Sequence, residues 1–331
     1  MESKGDARLS VVKTAGPGKV VVSIGGNAII RRGQRGTIEE QFENLQSVSR
    51  FIGRLVKAGK SVVITHGNGP MVGNIVLRGE TARDIVPPMP LYICDADSEG
   101  GVGFMIQQSL YNHLRKIHNI KQVVTVVTQV VVDRLDPAFE RPEKPLGPYY
   151  TKEQALLLAE KRGWAVKEDS GRGYRRVVPS PAPVRVVEAA VIKMLADSGV
   201  VVIACGGGGV PVVESADGTL AGVDAVVDKD LSTALIAREV RAERLINLTQ
   251  IEMVYTGFGR PSQKGISEMD CARARALLEA GEFAPGSMAP KIRAAVEFIE
   301  AGGRDVIITT PELIDTAVEG RAGTRIVRNR L

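Results

Sequence analysis

The 331-residue sequence has only three cysteines, Cys94, Cys205 and Cys271, an odd and scattered set without a CxxC pair. That argues against a disulfide framework and a structural zinc site, and reads as small buried thiols. The three histidines, His66, His113 and His118, are too few and too far apart for a His-rich metal site. Aromatics make up just 4%, so the core has to be built from Val, Ile, Leu and Ala. No apolar run approaches the ~20 residues of a membrane-spanning helix; the longest, such as residues 123–132, are broken by Thr or Gln. Residues 1–18 mix Glu, Lys, Asp and Arg without the apolar stretch of a secretory signal, so a cytoplasmic protein with no membrane contact is expected. The net charge is +5, yet no five or six basic residues adjoin, which suits small anionic ligands and not nucleic acid. The familiar nucleotide loops are missing too. Gly16-Pro17-Gly18-Lys19 precedes its strand and lacks the following Ser or Thr, and no GxGxxG follows a strand. A P-loop NTPase and a Rossmann dehydrogenase are thereby disfavoured, and any nucleotide must be held in another way.

What is present is an alternation of strands and helices. Lys19–Ile24 is a strand-like apolar run, and Thr37 with Glu40 forms a capping box ahead of Ile38, Phe42, Leu45, Val48, Ile52 and Leu55 at helical spacing. Residues 61–65 read as a second strand, 98–116 as a helix, and 122–127, continuing into 130–133, as a third strand. Residues 134–183 turn Pro-rich, polar and basic, and are expected to form an inserted subdomain or lid with a helix near Lys152–Arg162. The alternation then resumes: helix 184–198, strand 200–204, helix 230–241, strand Arg244–Leu248, helices 267–280 and 289–301, strand 305–308, helix 311–319 and strand Thr324–Val327. Such βαβ crossovers predict one mostly parallel sheet covered by helices on both faces.

Glycine clusters recur where strands end: Gly25-Gly26-Asn27, Gly67-Asn68-Gly69 and Gly206 to Gly209. In a parallel sheet such loops share one edge, and glycine lets backbone N–H groups approach an anion with no Cβ in the way. Any one of them alone reads equally as a tight turn; three together point to a phosphate or carboxylate cradle. Lys229 lies between Asp228 and Asp230 at a helix start, which is also how an exposed charged turn would look. Lys291 follows Pro290 in the first turn of another helix, where free N–H groups favour phosphate, unless it simply faces solvent. Lys144 belongs to the insertion and could swing over the crevice. His66 has no Ser, Cys or Asp partner in a triad pattern and is expected to hold its turn; Cys205 is expected to be a buried side chain.

The segments SIGGNAI, ITHGNGPMVGN, TQVVVD, EKPLGPYYT, KEDSGRGYRRVVPSP, CGGGGVPVV, GVDAVVDKD and FAPGSMAPKI, in this order, resemble the carbamate kinases of the amino-acid kinase family over nearly the whole chain, residues 19–327. The resemblance implies a three-layer αβα sandwich with a protruding subdomain, residues 19–331 forming the kinase-type domain and residues 1–18 an extension. It implies reversible transfer from ATP to carbamate, giving ADP and carbamoyl phosphate, with Mg²⁺ held mainly by the nucleotide phosphates and no protein metal site, in a homodimer. By the same resemblance Lys144, Lys229, Lys291, Asp230 and Asn27 are catalytic, and Gly25, Gly26, Gly67, Asn68 and Gly69 line the carbamate side. Gly207, Gly208, Lys229, Thr249, Gly286, Ser287, Met288 and Lys291 are then expected at the nucleotide. Carbamate carries its own anionic oxygen, which explains why no triad or thiolate site is needed. Two departures stand out. The run after Cys94 is Asp95-Ala96-Asp97-Ser98-Glu99, adding three carboxylates, and Met71 replaces a usual Gln after HGNGP. They keep open an acid kinase acting on another small carboxylate; an inactive nucleotide-binding member stands beside it as an alternative of a different class.

Overall fold

The computed structural model describes residues 18–329 apart from Arg32, Asn119, Ile120, Ser170 and Pro285, so the extension expected over residues 1–18 lies, save for Gly18, outside the described residues. In chain order, β1 (Lys19–Ile24) and the short α1 (Gly26–Ile29) precede α2 (Ile38–Lys57), β2 (Ser61–His66), α3 (Met71–Thr81), α4 (Leu91–Lys116), β3 (Val123–Thr125) and β4 (Gln129–Val132). Next come β5 (Lys144–Tyr150), α5 (Lys152–Arg162), β6 (Val166–Glu168), β7 (Tyr174–Val178), β8 (Pro183–Val186), α6 (Ala189–Asp197), β9 (Val201–Ile203), β10 (Val210–Glu214), β11 (Leu220–Gly222) and α7 (Lys229–Glu239). The remainder holds β12 (Arg244–Leu248), β13 (Val254–Thr256), β14 (Lys264–Ile266), β15 (Glu268–Asp270), α8 (Cys271–Glu279), α9 (Met288–Glu300), β16 (Asp305–Thr309), α10 (Ile314–Val318) and β17 (Thr324–Val327).

The main sheet runs β15-β17-β16-β12-β1-β2-β9-β3. From β16 to β3 every pairing is parallel, and only β17 reverses against β16. Side chains alternate across it. Val21, Val63, Val202, Leu245 and Val306 pack on one face with Ile192, Ile236 and Ile292 of α6, α7 and α9. Val20, Val22, Ile24, Ile64 and Ile246 pack on the other with Leu45 and Ile52 of α2 and Ile106 and Leu110 of α4. A strand buried on both faces must be apolar throughout, which is why these strands read as unbroken Val and Ile runs. Each such side chain contributes about 1.5–3 kcal/mol, and the outcome is the three-layer αβα sandwich. The box that starts α2 is complete: Thr37 Oγ1 accepts from Glu40 N at 3.3 Å and Glu40 Oε2 accepts from Thr37 N at 3.0 Å.

Several boundaries differ from the sequence expectations. The helix expected from Ser98 begins at Leu91, directly after Pro90, and carries Asp95 and Glu99 on a buried face. The third strand is two strands in different sheets. β3 ends the main sheet, the chain turns where Thr128 Oγ1 donates to Val126 O at 2.7 Å, and β4 joins the four-stranded sheet β11-β10-β4-β8. The helix expected from Val184 starts at Ala189, since residues 183–186 pair with β4, and the helix expected from Ser267 starts at Cys271, since residues 268–270 pair with β17. α10 starts at Ile314, three residues after Pro311. α3 and the hairpin β13–β14 had no sequence signal. Within residues 134–183, β5, β7 and β6 form their own antiparallel sheet beside α5. That sheet meets α3 backbone to backbone: a Cβ on Gly73 would lie 2.8 Å from Gly147 Cα.

Candidate active site

The turns after β1, β2, β9 and β12 meet at one edge of the main sheet, as parallel strands dictate. They touch through glycine. A Cβ on Gly26 would come within 2.6 Å of Gly69 Cα, and one on Gly207 would collide with the side-chain amide of Asn68. A plain turn would not need such contact; three loops closing on one point do. With Lys144, Gly147, Arg175, Lys229, Thr249, Ser287 and Lys291 they line a crevice of about 500 Å³.

An ionic cluster occupies its wall. Asp228 caps α7, its Oδ1 accepting from Asp230 N at 2.9 Å, so that Lys229 is the first helical residue. Lys229 Nζ donates to Ser23 Oγ at 3.0 Å and to Asp230 Oδ1 at 2.6 Å. Lys291, from the first turn of α9, donates to Asp230 Oδ2 at 2.7 Å, and Asn247 Nδ2 adds a bond to Asp230 Oδ1 at 2.9 Å. Lys144 reaches across from β5 to Asp228 Oδ2 at 2.8 Å. Burial alone would raise the Asp230 carboxyl, but the ammonium groups of Lys229 and Lys291 outweigh it and hold the acid well below the usual carboxylate range. For Asp228, too, burial pushes up and Lys144 prevails. Burial lowers Lys229, with Asp230 opposing. In this cluster three ammoniums face two carboxylates, which leaves positive charge over in a site lined with glycines, so the crevice is arranged to receive an anion.

Behind the floor sit buried groups of another kind. His66 is fully buried; burial brings its pKa to about 4, its Nδ1 lies 3.3 Å from Gly67 O, and its Nε2 has no partner. It is a neutral ring that holds its turn. Burial pushes the Cys205 thiol well up, which removes it as a nucleophile. Burial pushes Glu99 to about 8, opposed by the N–H groups of Thr128 and Gly206 at 3.0 and 2.7 Å. Asp95, one turn earlier, has no partner for either oxygen and is raised well above the carboxylate range by burial, then by Glu99 and Asp224. A raised acid stabilises the fold fully below its unfolded pKa near 4, and that contribution is lost as pH rises through the folded value. Asp95→Asn is therefore expected to stabilise the protein by about 1 kcal/mol or more at pH 8 and little at pH 4, read by denaturant unfolding at both pH values. A gain of equal size at both would mean that Asp95 is not ionising against the fold.

Of the residues singled out in the sequence, Gly25, Gly26, Gly67, Asn68, Gly69, Lys144, Gly207, Lys229, Asp230, Thr249, Gly286, Ser287 and Lys291 line this crevice. Gly208 stands off it, its carbonyl accepting from Ser232 Oγ at 2.6 Å, and Met288 packs partly buried against the core. Asn27 belongs to α1, and its side chain lies outside the described structure. Asp95, Asp97, Glu99 and Met71 do not line the crevice; Asp97 is exposed. Arg175 was not singled out. It lines the crevice from β7, its Nε donating to Gly147 O at 3.1 Å and its guanidinium lying 5.1 Å from the Tyr149 ring centre. Its signal was there in GRGYRR, two arginines on opposite faces of one strand. Among the described residues no three His, Cys, Asp or Glu are grouped to hold a metal, and no helix is long and apolar enough to cross a membrane.

Comparison with known proteins gives the same picture. Residues 18–310 match the model of the amino acid kinase family. The carbamate kinase of Pyrococcus furiosus is 46% identical over 311 residues, 93% of this chain and 99% of that protein. The carbamate kinase-like protein YahI of Escherichia coli is 47% identical, over 93% and 98%. Carbamate kinase from Giardia lamblia bound to AMP-PNP superposes with a TM-score of 0.88 at 40% identity, covering 94% of this chain and 99% of that one.

Proposed function

The chain belongs to the amino acid kinase family, and from that premise we propose that it acts as a carbamate kinase, moving a phosphoryl group reversibly between ATP and carbamate. It is a phosphotransferase, and its likeness to carbamate kinases extends along nearly their whole length. The observation that carries the reading is the set of three lysines, Lys144, Lys229 and Lys291, turned on the half-buried Asp228 and the buried Asp230 beside a glycine cradle. Among the described lining residues no histidine or thiol is placed as a base, and none is required: the carbamate oxygen is already an anion. What lowers the barrier is alignment of donor and acceptor and neutralisation of charge spreading over the transferring group. On binding, nucleotide phosphates join Asp230 and Asp228 as partners of these lysines, whose charges are held in place beforehand.

The acceptor side has its own mark. Both polar atoms of the Asn68 amide are buried without a partner at the crevice. A buried donor and acceptor left idle cost free energy until a ligand offers both complements; carbamate does, with its NH₂ and oxygen on one carbon, and a plain carboxylate offers only the acceptor. The three extra carboxylates of the 95–99 run stay off the lining, so they do not argue for another acid. Retention of the three lysines argues against an inactive member.

Mg²⁺ would be held by the nucleotide phosphates and water, since both Asp230 oxygens and Asp228 Oδ2 already face ammonium groups; when bound it would neutralise phosphate charge. A homodimer is supported by the outer face of α4, where Ile93, Phe104 and Tyr111 stand exposed in one stripe near the edge strand β3. ATP formation from ADP, Mg²⁺ and carbamoyl phosphate tests the function: turnover, with acetyl phosphate far poorer, is expected, and a preference for acetyl phosphate would transfer the assignment to an acid kinase.

The 134–183 segment acts, in this reading, as a lid that brings Lys144 over the reacting oxygens. Lys144→Ala is expected to lower kcat and raise the carbamoyl phosphate KM while ADP affinity, set on the Lys291 side, changes by less than about twofold. Steady-state kinetics with both substrates varied, plus ADP titration, checks it. Weakened ADP binding with unchanged carbamoyl phosphate kinetics would put Lys144 on the nucleotide side.

A further inference from the structure

Glu99 stands behind the crevice floor, on α4, and the chemistry above makes no use of it. Its Oε1 accepts from Gly206 N at 2.7 Å and its Oε2 from Thr128 N at 3.0 Å. These two backbone groups lie just past β9 and just before β4, so one side chain ties together the points where two sheets begin to part. Thr128 Oγ1 in turn accepts from Cys205 N at 3.0 Å, and Cys205 has φ 51°, a left-handed backbone that costs free energy in a residue with a Cβ. Such a conformation persists only where its surroundings enforce it, and the carboxyl and the threonine hydroxyl do so. Directly after Gly206, Gly207 carries the Asn68 amide against its backbone, as the collision with any added Cβ shows. Contact therefore runs from Glu99 through Gly206 and Gly207 to the idle amide of Asn68 at the crevice.

We propose that Glu99 is a positioning residue for acceptor recognition: by gripping Gly206 and Thr128 together it sets the height at which Asn68 presents its amide to the carbamoyl group. The proposal rests on the functional reading above and adds to it a residue outside the crevice. An ionised carboxyl accepts both N–H bonds, whereas a neutral one has a single good acceptor oxygen and leaves the second N–H poorly paired. Since burial places Glu99 near 8, the two-point grip tightens as pH rises through that range. The titratable and charged neighbours are Asp95 on the same helix, His66 at the end of β2, Cys205 in the glycine turn, Glu188 ahead of α6, and Lys229 of α7, which acts on His66. His66 is neutral throughout, and the Cys205 thiol is pushed up out of the way.

Glu99→Gln imitates the neutral carboxyl permanently. The experiment measures ATP formation at pH 7 and pH 9 with carbamoyl phosphate and ADP varied, alongside titration with an ATP analogue, for the wild type, Glu99→Gln and Asp95→Asn. At pH 9 the carbamoyl phosphate KM of Glu99→Gln is expected about fivefold or more above wild type, with nucleotide Kd within about twofold, and the gap should narrow at pH 7. Asp95→Asn should keep the wild-type pH dependence. Should Glu99→Gln fail to fold, Thr128→Val loosens the same turn and is expected to give the same KM split at both pH values. An unchanged carbamoyl phosphate KM, a nucleotide affinity that shifts in step with it, or a wild-type pH dependence surviving in Glu99→Gln overturns the proposal alone. A wild-type protein without turnover on carbamoyl phosphate overturns the functional reading and this proposal with it.

Discussion

Lys229→Ala should lower kcat by on the order of 10² to 10³ while the protein stays folded. Lys229 Nζ is held by Ser23 and Asp230 at the crevice wall, its side chain mostly enclosed, and a fixed charge so placed acts strongly on a transferring phosphoryl group. The fold should tolerate the change, because Asp230 keeps Lys291 and Asn247 as partners. Lys229→Arg should rescue poorly: a planar fork does not reproduce a point charge wedged between Ser23 and Asp230, and Gly67 has room for the lysine stem alone, its added Cβ already 3.2 Å from Lys229 Cδ. Single-turnover rates beside a melting curve decide it, and near-wild-type turnover in the alanine variant would sink the assignment of the site.

Asp230→Asn is expected to cause the largest loss of stability, roughly 3–5 kcal/mol at pH 7. Without that carboxylate, Lys229 and Lys291 face each other across a buried gap with one amide between them. The pH dependence carries a sign of its own. A depressed acid contributes stability that is present above its unfolded pKa near 4 and is lost as pH falls toward the lower folded value. The deficit of the variant should therefore shrink as pH falls below about 4. Denaturant unfolding across pH 3 to 8 measures it; a loss under about 1 kcal/mol at pH 7 would show that water or relaxation of the lysine stems does the work assigned here to Asp230.

The sandwich was legible because its strands are buried on both faces: nothing but a two-sided core explains runs such as those of β1 and β12, and these elements fall at the ends their composition marks. The DKD turn was likewise readable, since Asp228 caps the helix that Lys229 opens. What escaped was decided by pairing at a distance. Residues 183–186 look helical until β4 lies beside them, and residues 91–97 look like a charged loop until Asp95 turns out to be enclosed with neither oxygen bonded. Gly208 and Gly207 were indistinguishable as letters in a run of four; only the carbonyl of Val227 beneath one and the amide of Asn68 above the other separates a packing glycine from a crevice glycine. Arg175 and Arg176 are equally alike in sequence, and the pleat of β7 sends them to opposite sides, one toward Gly147 and the other onto Trp164.

β1, near the start of the chain, lies in the middle of the main sheet with β2 on one side and β12 on the other. Its second neighbour is thus synthesised more than two hundred residues after it. During synthesis the first strand must wait with one edge open until β12 emerges, and the loop it anchors has no Lys291 to face until α9 follows. A long-range parallel pairing of this kind is slow to close, and unpaired apolar edges invite association with other chains meanwhile. A nascent chain that ends before α9 holds the glycine loops of β1, β2 and β9 but lacks the second ammonium on Asp230, so the charge cluster of the crevice is complete only once α9 has been made.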